Sequence, residues 1–253
     1  MSKSYDDSPQ EMQSFNFDAI GVIESPYQEK FAIPRQPNLV SAAKGKVVLI
    51  GAANNAELVR DIEQFSHLWL LFVFHGTQAQ GWKPLVRPPR LGGNVKTGVL
   101  ATRSTFRPNP IGMSVVKLDK VTTVNKQTIL HISGLDLLNG TPIVDIKPYV
   151  PYSDAIIDAN AGFAQTQPNA DLSVRFSQQA QNDLSAHFDE YSELSLLIEQ
   201  VLAQDPRPAY KQGKSDDKIY GMSLYDLNIT WQVSGLKQVE VLGINKQLEL
   251  STK

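Results

Sequence analysis

The chain has no cysteine, which excludes disulfides, thiolate zinc sites, iron–sulfur clusters and thiol nucleophiles together. Long apolar runs are missing too. The longest, Leu68 to Phe74, falls far short of the roughly 20 residues a membrane helix requires and instead suits a strand buried on both faces. The opening MSKSYDDSPQEMQ is polar and acidic without the apolar centre of a signal peptide; it reads as a frayed tail on a cytoplasmic protein with no membrane attachment. No GxGxxG follows a strand, and there is no P-loop, HExxH helix or GxSxG elbow. His67, His75, His131 and His187 are scattered, and no metal site is expected.

Acidic residues are absent from one long segment. Between Gln64 and Leu118 there is no Asp or Glu, while Lys83, Arg87, Arg90, Lys96, Arg103, Arg107 and Lys117 all fall there. The overall balance of 24 basic against 26 acidic residues conceals this local excess. The plain reading is a solvated basic face balanced elsewhere. The sharper one is a surface for phosphate groups, with arginines suited to bidentate anion contacts.

What remains is ordinary globular composition, 42% apolar and 20% charged, and 253 residues suffice for a main domain with a small appendage. Short β-prone runs occur at Phe17–Ile23, Gly45–Ile50, Leu68–Phe74, Gly98–Thr102, Ser114–Leu118 and Thr128–Ile132, with Gly- and Pro-containing turns between them. Asn55–Glu63 is the one good helix candidate among them. This pattern predicts a mainly β chain: a barrel-like antiparallel N-terminal domain over residues 15–160. Gly162 to Asn169 reads as a linker. A small α+β C-terminal domain follows over residues 170–253, with helices capped by Ser177 and Ser192, the second ending before Pro206, and strands at Tyr220–Leu224, Leu227–Val233 and Val239–Leu242.

Three clusters carry the chemistry. In Pro34-Arg35-Gln36-Pro37, two prolines stiffen the backbone around a cation and an amide. The run from Ala101, ATRSTFRPNPIGMS, crowds Arg, Ser, Thr and Asn into a loop that offers N–H groups and guanidinium forks to an anion. From Asp136, DLLNGTPIVDIKPYVPY opens with a tight Asn-Gly turn whose backbone can hydrogen-bond a ligand. Asp145, Lys147 and Tyr149 then alternate, so an extended strand gives them one face.

On these three clusters, and on LAQDPRPAYKQGK from Leu202, the chain resembles the TrmO family of S-adenosylmethionine-dependent tRNA methyltransferases, over about residues 15–157 and on into the C-terminal region. The resemblance implies an all-β barrel-like catalytic domain, a homodimer with S-adenosyl-L-methionine bound near the subunit interface, and methylation at N6 of N6-threonylcarbamoyladenosine, just 3′ of the tRNA anticodon. Carried over by position, the donor contacts are Pro34, Arg35, Gln36, His75, Gly76, Arg103, Met113, Leu138, Asn139, Gly140 and Thr141.

The acceptor nitrogen carries one hydrogen and a delocalised lone pair, so its proton must leave as the methyl group arrives. Tyr149, Asp145 and Asp205 are the candidate catalytic residues. The threonyl carboxylate of the substrate invites Arg107 or Arg207, and Lys211, Lys214 and Lys218 are expected to help clamp the tRNA. Two other readings stay open: a non-catalytic RNA-binding barrel, and a methyltransferase for a small molecule.

Overall fold

The computed structural model describes residues 13–247. The expected N-terminal tail and residues 248–253 lie outside that range. In chain order the elements are β1 (Gly21–Glu24), β2 (Lys44–Leu49), β3 (His67–Val73), β4 (Leu85–Val86), β5 (Thr97–Gly98), β6 (Ile111–Val124), β7 (Gln127–Ser133), β8 (Pro142–Pro148) and α1 (Pro151–Asp154). After them come β9 (Ser173–Phe176), α2 (Gln178–Ala186), α3 (Leu194–Ala203), β10 (Asp216–Leu224), β11 (Leu227–Gly235) and β12 (Gln238–Lys246).

Six strands close into a barrel in the order β1-β2-β7-β6-β3-β8, every pair antiparallel. The expected barrel is therefore present. Alternation along the strands fills it. Leu68, Leu70 and Phe72 of β3 point inward with Val47, Val116, Leu130, Ile132 and Ile143. The neighbours Trp69, Leu71 and Val73 are only half-buried, so β3 is not covered on both faces as its continuous apolar run suggested. The barrel has an outside, and that row faces it. Gly112 lets β6 approach β3: a Cβ there would overlap the Phe72 ring.

Three local expectations fail. Asn55–Glu63 is not an α-helix but two short 3-10 turns, Ala56–Val59 and Ile62–Gln64, separated by Asp61 in the left-handed region at φ 64°. Gly98–Thr102 is a two-residue strand running into a 3-10 turn. Glu193, not Ser192, precedes α3, and it makes no side-chain cap. Ser177 does cap α2, accepting from the Ala180 N–H at 3.1 Å.

The C-terminal sheet runs β10-β11-β12-β9, with only β12 and β9 parallel. It is joined to the barrel by main-chain and apolar contact. Tyr27 bridges Leu224, Tyr225 donates to the Pro26 carbonyl at 2.7 Å, and Phe31 lies 6.3 Å from Trp231. The buried apolar residues of both halves form one continuous core. No helix among the described residues is long and apolar enough to cross a membrane.

Candidate active site

A cavity of about 450 Å³ opens at one end of the barrel, where four chain segments meet, one of them Asp136–Leu138 with Thr141. The first is Ile33–Gln36. Pro34 and Pro37 limit its backbone, and Lys30 reaches from just upstream to donate to the Gly76 carbonyl at 2.8 Å. The second is the end of β3 with its turn through His75 and Gly76, pinned where Phe74 donates to the Pro110 carbonyl at 2.7 Å. The third is the loop before β6. There Thr102 Oγ1 accepts from the Ser104 N–H and Ser104 Oγ from the Phe106 N–H, while Arg107 donates back to the Thr102 carbonyl at 3.1 Å. Such turns fix a loop without a strand ladder.

Two polar contacts tie these segments into one site. Arg103 donates to Gln36 Oε1 at 2.7 Å. At the cavity floor, Ser114 Oγ donates to Asp136 Oδ1. Burial pushes the Asp136 carboxyl up to about 6, although the Ser114 hydrogen bond and nearby Arg103 pull the other way. Asp136 is the one carboxylate in the lining; Lys30, Arg35, Arg103 and Arg107 supply cations, and His75 an imidazole.

A longer groove of about 1490 Å³ runs beside the cavity, between the barrel and the C-terminal unit. The two share Lys30, Ile33 to Gln36, Thr102, Arg103 and Thr105, so the stiff proline segment and the Arg-rich loop form their common wall. Arg87 and Arg90 line the groove on the barrel side, and Gln204, Asp205, Gln212 and Lys237 on the other. Burial, and then Arg90, lowers the proton affinity of Arg35, while Asp205 opposes them; these charges face one another across the groove.

Nine of the eleven residues expected to hold the donor line the cavity: Pro34, Arg35, Gln36, His75, Gly76, Arg103, Met113, Leu138 and Thr141. Asn139 and Gly140 do not. Their N–H groups are committed to the carbonyls of Tyr27 and Ile23, each at 2.8 Å, so this part of the turn holds the barrel end together. Gly140 sits at φ 77°, the conformation that favours glycine.

The expected catalytic residues are not brought together. Asp145 and Tyr149 lie along the outer side of the barrel and away from the cavity lining. Asp145 pairs with Lys147 at 2.8 Å, and Tyr149 packs near Trp69 and His67. Asp205 lines the groove, but its carboxylate is taken by Arg207 through Nε to Oδ1 at 2.7 Å and Nη2 to Oδ2 at 2.8 Å. Arg207 is 0% exposed and so is not available to a substrate carboxylate. Lys211 is occupied by Asp216 and Tyr220; Lys214 remains exposed. Arg107 does line the cavity.

Sequence reasoning passed over Asp136 and Ser114 as site residues. Both stand in motifs already singled out, Asp136 opening DLLNGTP and Ser114 closing the Arg-rich run.

Residues 22–155 match the tRNA-methyltransferase O N-terminal domain, and residues 169–247 match the TrmO C-terminal domain. The chain belongs to the tRNA-methyltransferase O family. A tRNA (adenine(37)-N6)-methyltransferase of Escherichia coli K12 is 53% identical over 88% of this chain and 95% of its own. A putative S-adenosylmethionine-dependent methyltransferase, RcsF, of Pseudomonas aeruginosa is 46% identical over 89% and 95%. Among solved structures, TrmO from P. aeruginosa superimposes with a TM-score of 0.77 at 40% identity, covering 94% of this chain and 99% of that one. Membership of the TrmO family thus extends over both halves of the chain.

Proposed function

We infer that the chain transfers a methyl group from S-adenosyl-L-methionine to N6 of adenosine 37 in tRNA, the reaction named for its E. coli relative. The acceptor in this reading is N6-threonylcarbamoyladenosine. One observation carries it: residues from motifs roughly a hundred positions apart converge on one cavity, and that cavity shares a wall with a cationic groove.

The residues present suit the donor. The cavity falls within the range of small-molecule sites, about 300–1,000 Å³. Arg35 and Arg103 match a carboxylate, Asp136 a cationic group, and Phe72, Met113 and Leu138 an apolar ring. When bound, the donor supplies an electrophilic methyl carbon on a positively charged sulfur. The protein contributes orientation, which is worth effective molarities of about 10⁵–10⁸ M in well-aligned cases. The stiff Pro34–Pro37 wall and the braced Arg103–Arg107 loop are the means.

The groove suits a single-stranded anticodon loop, whose phosphates Arg87 and Arg90 would meet. Arg107 is the remaining candidate for the threonyl carboxylate, with Lys214 and Lys218 on the C-terminal side. A homodimer working in the cytoplasm belongs to the same proposal. Ile111 and Met113, 40% and 48% exposed at the cavity rim, offer apolar surface for a second copy.

The test is mass spectrometry of nucleosides after incubating the chain and donor with tRNA that carries the hypermodified adenosine. One added methyl group on that nucleoside, and none on tRNA with plain adenosine there, is the expected result. No methylation of either tRNA would overturn the reading.

A further inference from the structure

We propose that Asp136 takes the proton that leaves the acceptor N6, which makes it a catalytic residue of the reaction inferred above, on which this step rests. Three candidate acceptors read from sequence are out of place: Asp145 and Tyr149 lie away from the lining, and Asp205 is locked to Arg207. Asp136 is the one carboxylate in the cavity. Oδ1 receives the hydroxyl of Ser114, itself 1% exposed, the backbone N–H of Asp136 itself also favours the ionised carboxylate, and Ser114 is the one side chain among the described residues that donates to it. The Ser114 bond aims the carboxylate toward an N–H brought into the cavity.

The chemistry needs a group of this kind. The N6–H bond breaks toward the Asp136 carboxylate, the pair left on nitrogen forms the N–CH3 bond, and the S–CH3 pair returns to sulfur, leaving a neutral thioether. A carboxylate and a sulfonium become a carboxylic acid and a neutral sulfur, so opposite charges disappear together. A poorly solvated site favours that change over water, which stabilises the separated charges.

Burial chiefly sets the proton affinity of Asp136, opposed by the Ser114 hydrogen bond, its own backbone N–H and Arg103. Arg103 faces it from the loop, Lys30 and Arg35 from the proline segment and its approach, and His75 and Arg107 from the remaining walls. Near it lies the buried Tyr27 hydroxyl, which has no hydrogen-bond partner among the described residues and whose proton affinity rises through burial and then Asp136. Burial prevails over the two hydrogen bonds and Arg103 and leaves the carboxyl at about 6. Such a group is ionised at neutral pH yet still basic enough to accept a proton.

The experiment is single-turnover methylation at saturating donor and modified tRNA, followed across pH, with donor binding measured by calorimetry in two buffers of different ionisation enthalpy near pH 6. The wild-type rate climbs with pH through an acid limb and then levels off, and donor binding releases a proton because the cationic donor holds the carboxyl ionised. Asp136→Asn keeps the size and the Ser114 acceptor. It should lower the rate by about 10²–10⁴-fold, abolish the acid limb and release no proton on binding. Ser114→Ala removes a bond that favours the ionised form, so its acid limb should move to higher pH.

A rate within about fivefold of wild type for Asp136→Asn overturns the proposal while leaving the methyltransferase reading intact. So does an unmoved limb in Ser114→Ala, or an unchanged proton release in Asp136→Asn. Loss of the acid limb in His75→Asn, with Asp136→Asn unaffected, would pass the role to His75. A wild-type chain inactive on modified tRNA would instead sink the function itself.

Discussion

Arg103 and Gln36, 67 positions apart, are joined by a 2.7 Å hydrogen bond from the guanidinium to Gln36 Oε1. The bond ties the Arg-rich loop to the proline segment, so the cavity is assembled before any ligand arrives. Preorganisation of this kind lowers the ordering cost of binding.

Arg103→Lys should therefore weaken the donor more than a loss of charge would explain, because the charge is retained. Charge-assisted hydrogen bonds are worth about 1.5–3 kcal/mol, which corresponds to a dissociation constant raised roughly ten- to a hundredfold. Calorimetric titration with the donor checks this. Unchanged affinity would mean that Arg103 only decorates the cavity.

Asp136 gives a pH-dependent stability of known sign. Its folded-state value is raised from 3.8 to about 6, so the folded state binds the extra proton. That contribution is fully present below pH 4 and is lost as pH rises through 6. Asp136→Asn should then unfold at a higher temperature than wild type at pH 8, by about 1–2 kcal/mol after allowance for solvent contact, and the gap should close by pH 4. Thermal melts at the two pH values decide it. An activity gain bought by strain in the fold is a common arrangement at functional sites.

Breaking the Asp205–Arg207 pair should cost stability. Arg207→Ala would leave a carboxylate in a poorly solvated place without its partner, at a cost of about 3–5 kcal/mol. Denaturant melts should show the loss. The loop through Lys214, whose carbonyl accepts from Arg207 at 3.1 Å, should also become protease-sensitive.

Arg87 is exposed on the groove wall and makes no ion pair among the described residues. If it meets a phosphate, Arg87→Ala should reduce the slope of log affinity for tRNA against log salt by about one, with donor affinity unchanged. An unaltered slope would take Arg87 out of the contact.

Gly112→Ala would drive a methyl group into Phe72, which lies in both the barrel interior and the cavity wall. Overpacking of this kind costs about 1–3 kcal/mol. Melting and donor affinity should fall together.

The barrel was legible because strands such as β7 alternate cleanly, with Thr128, Leu130 and Ile132 inward. Most of the cavity lining was legible through its motifs. The carboxylate in that lining, Asp136, was not. Alternation of Asp145 with Lys147 and Tyr149 says that they share a side but not which side, and a bulge opposite Leu71 and Phe72 interrupts the register. The failed helix at Asn55–Glu63 has a related cause. Glu63 accepts from the Val121 N–H and Asn54 from the Thr128 N–H, both at 2.8 Å, so distant strands set the path of that segment. The burial of Arg207 depends on a loop fold that residue type alone does not announce; a Pro-flanked arginine reads as solvated.

Because Phe31, Tyr27 and Trp231 share one interior, the two halves should melt in a single transition, and removing everything after the linker would strip the cover from the barrel's own apolar residues. The width of the groove is then set by the same packing that holds the fold, so a visiting loop is measured against an opening the core itself defines.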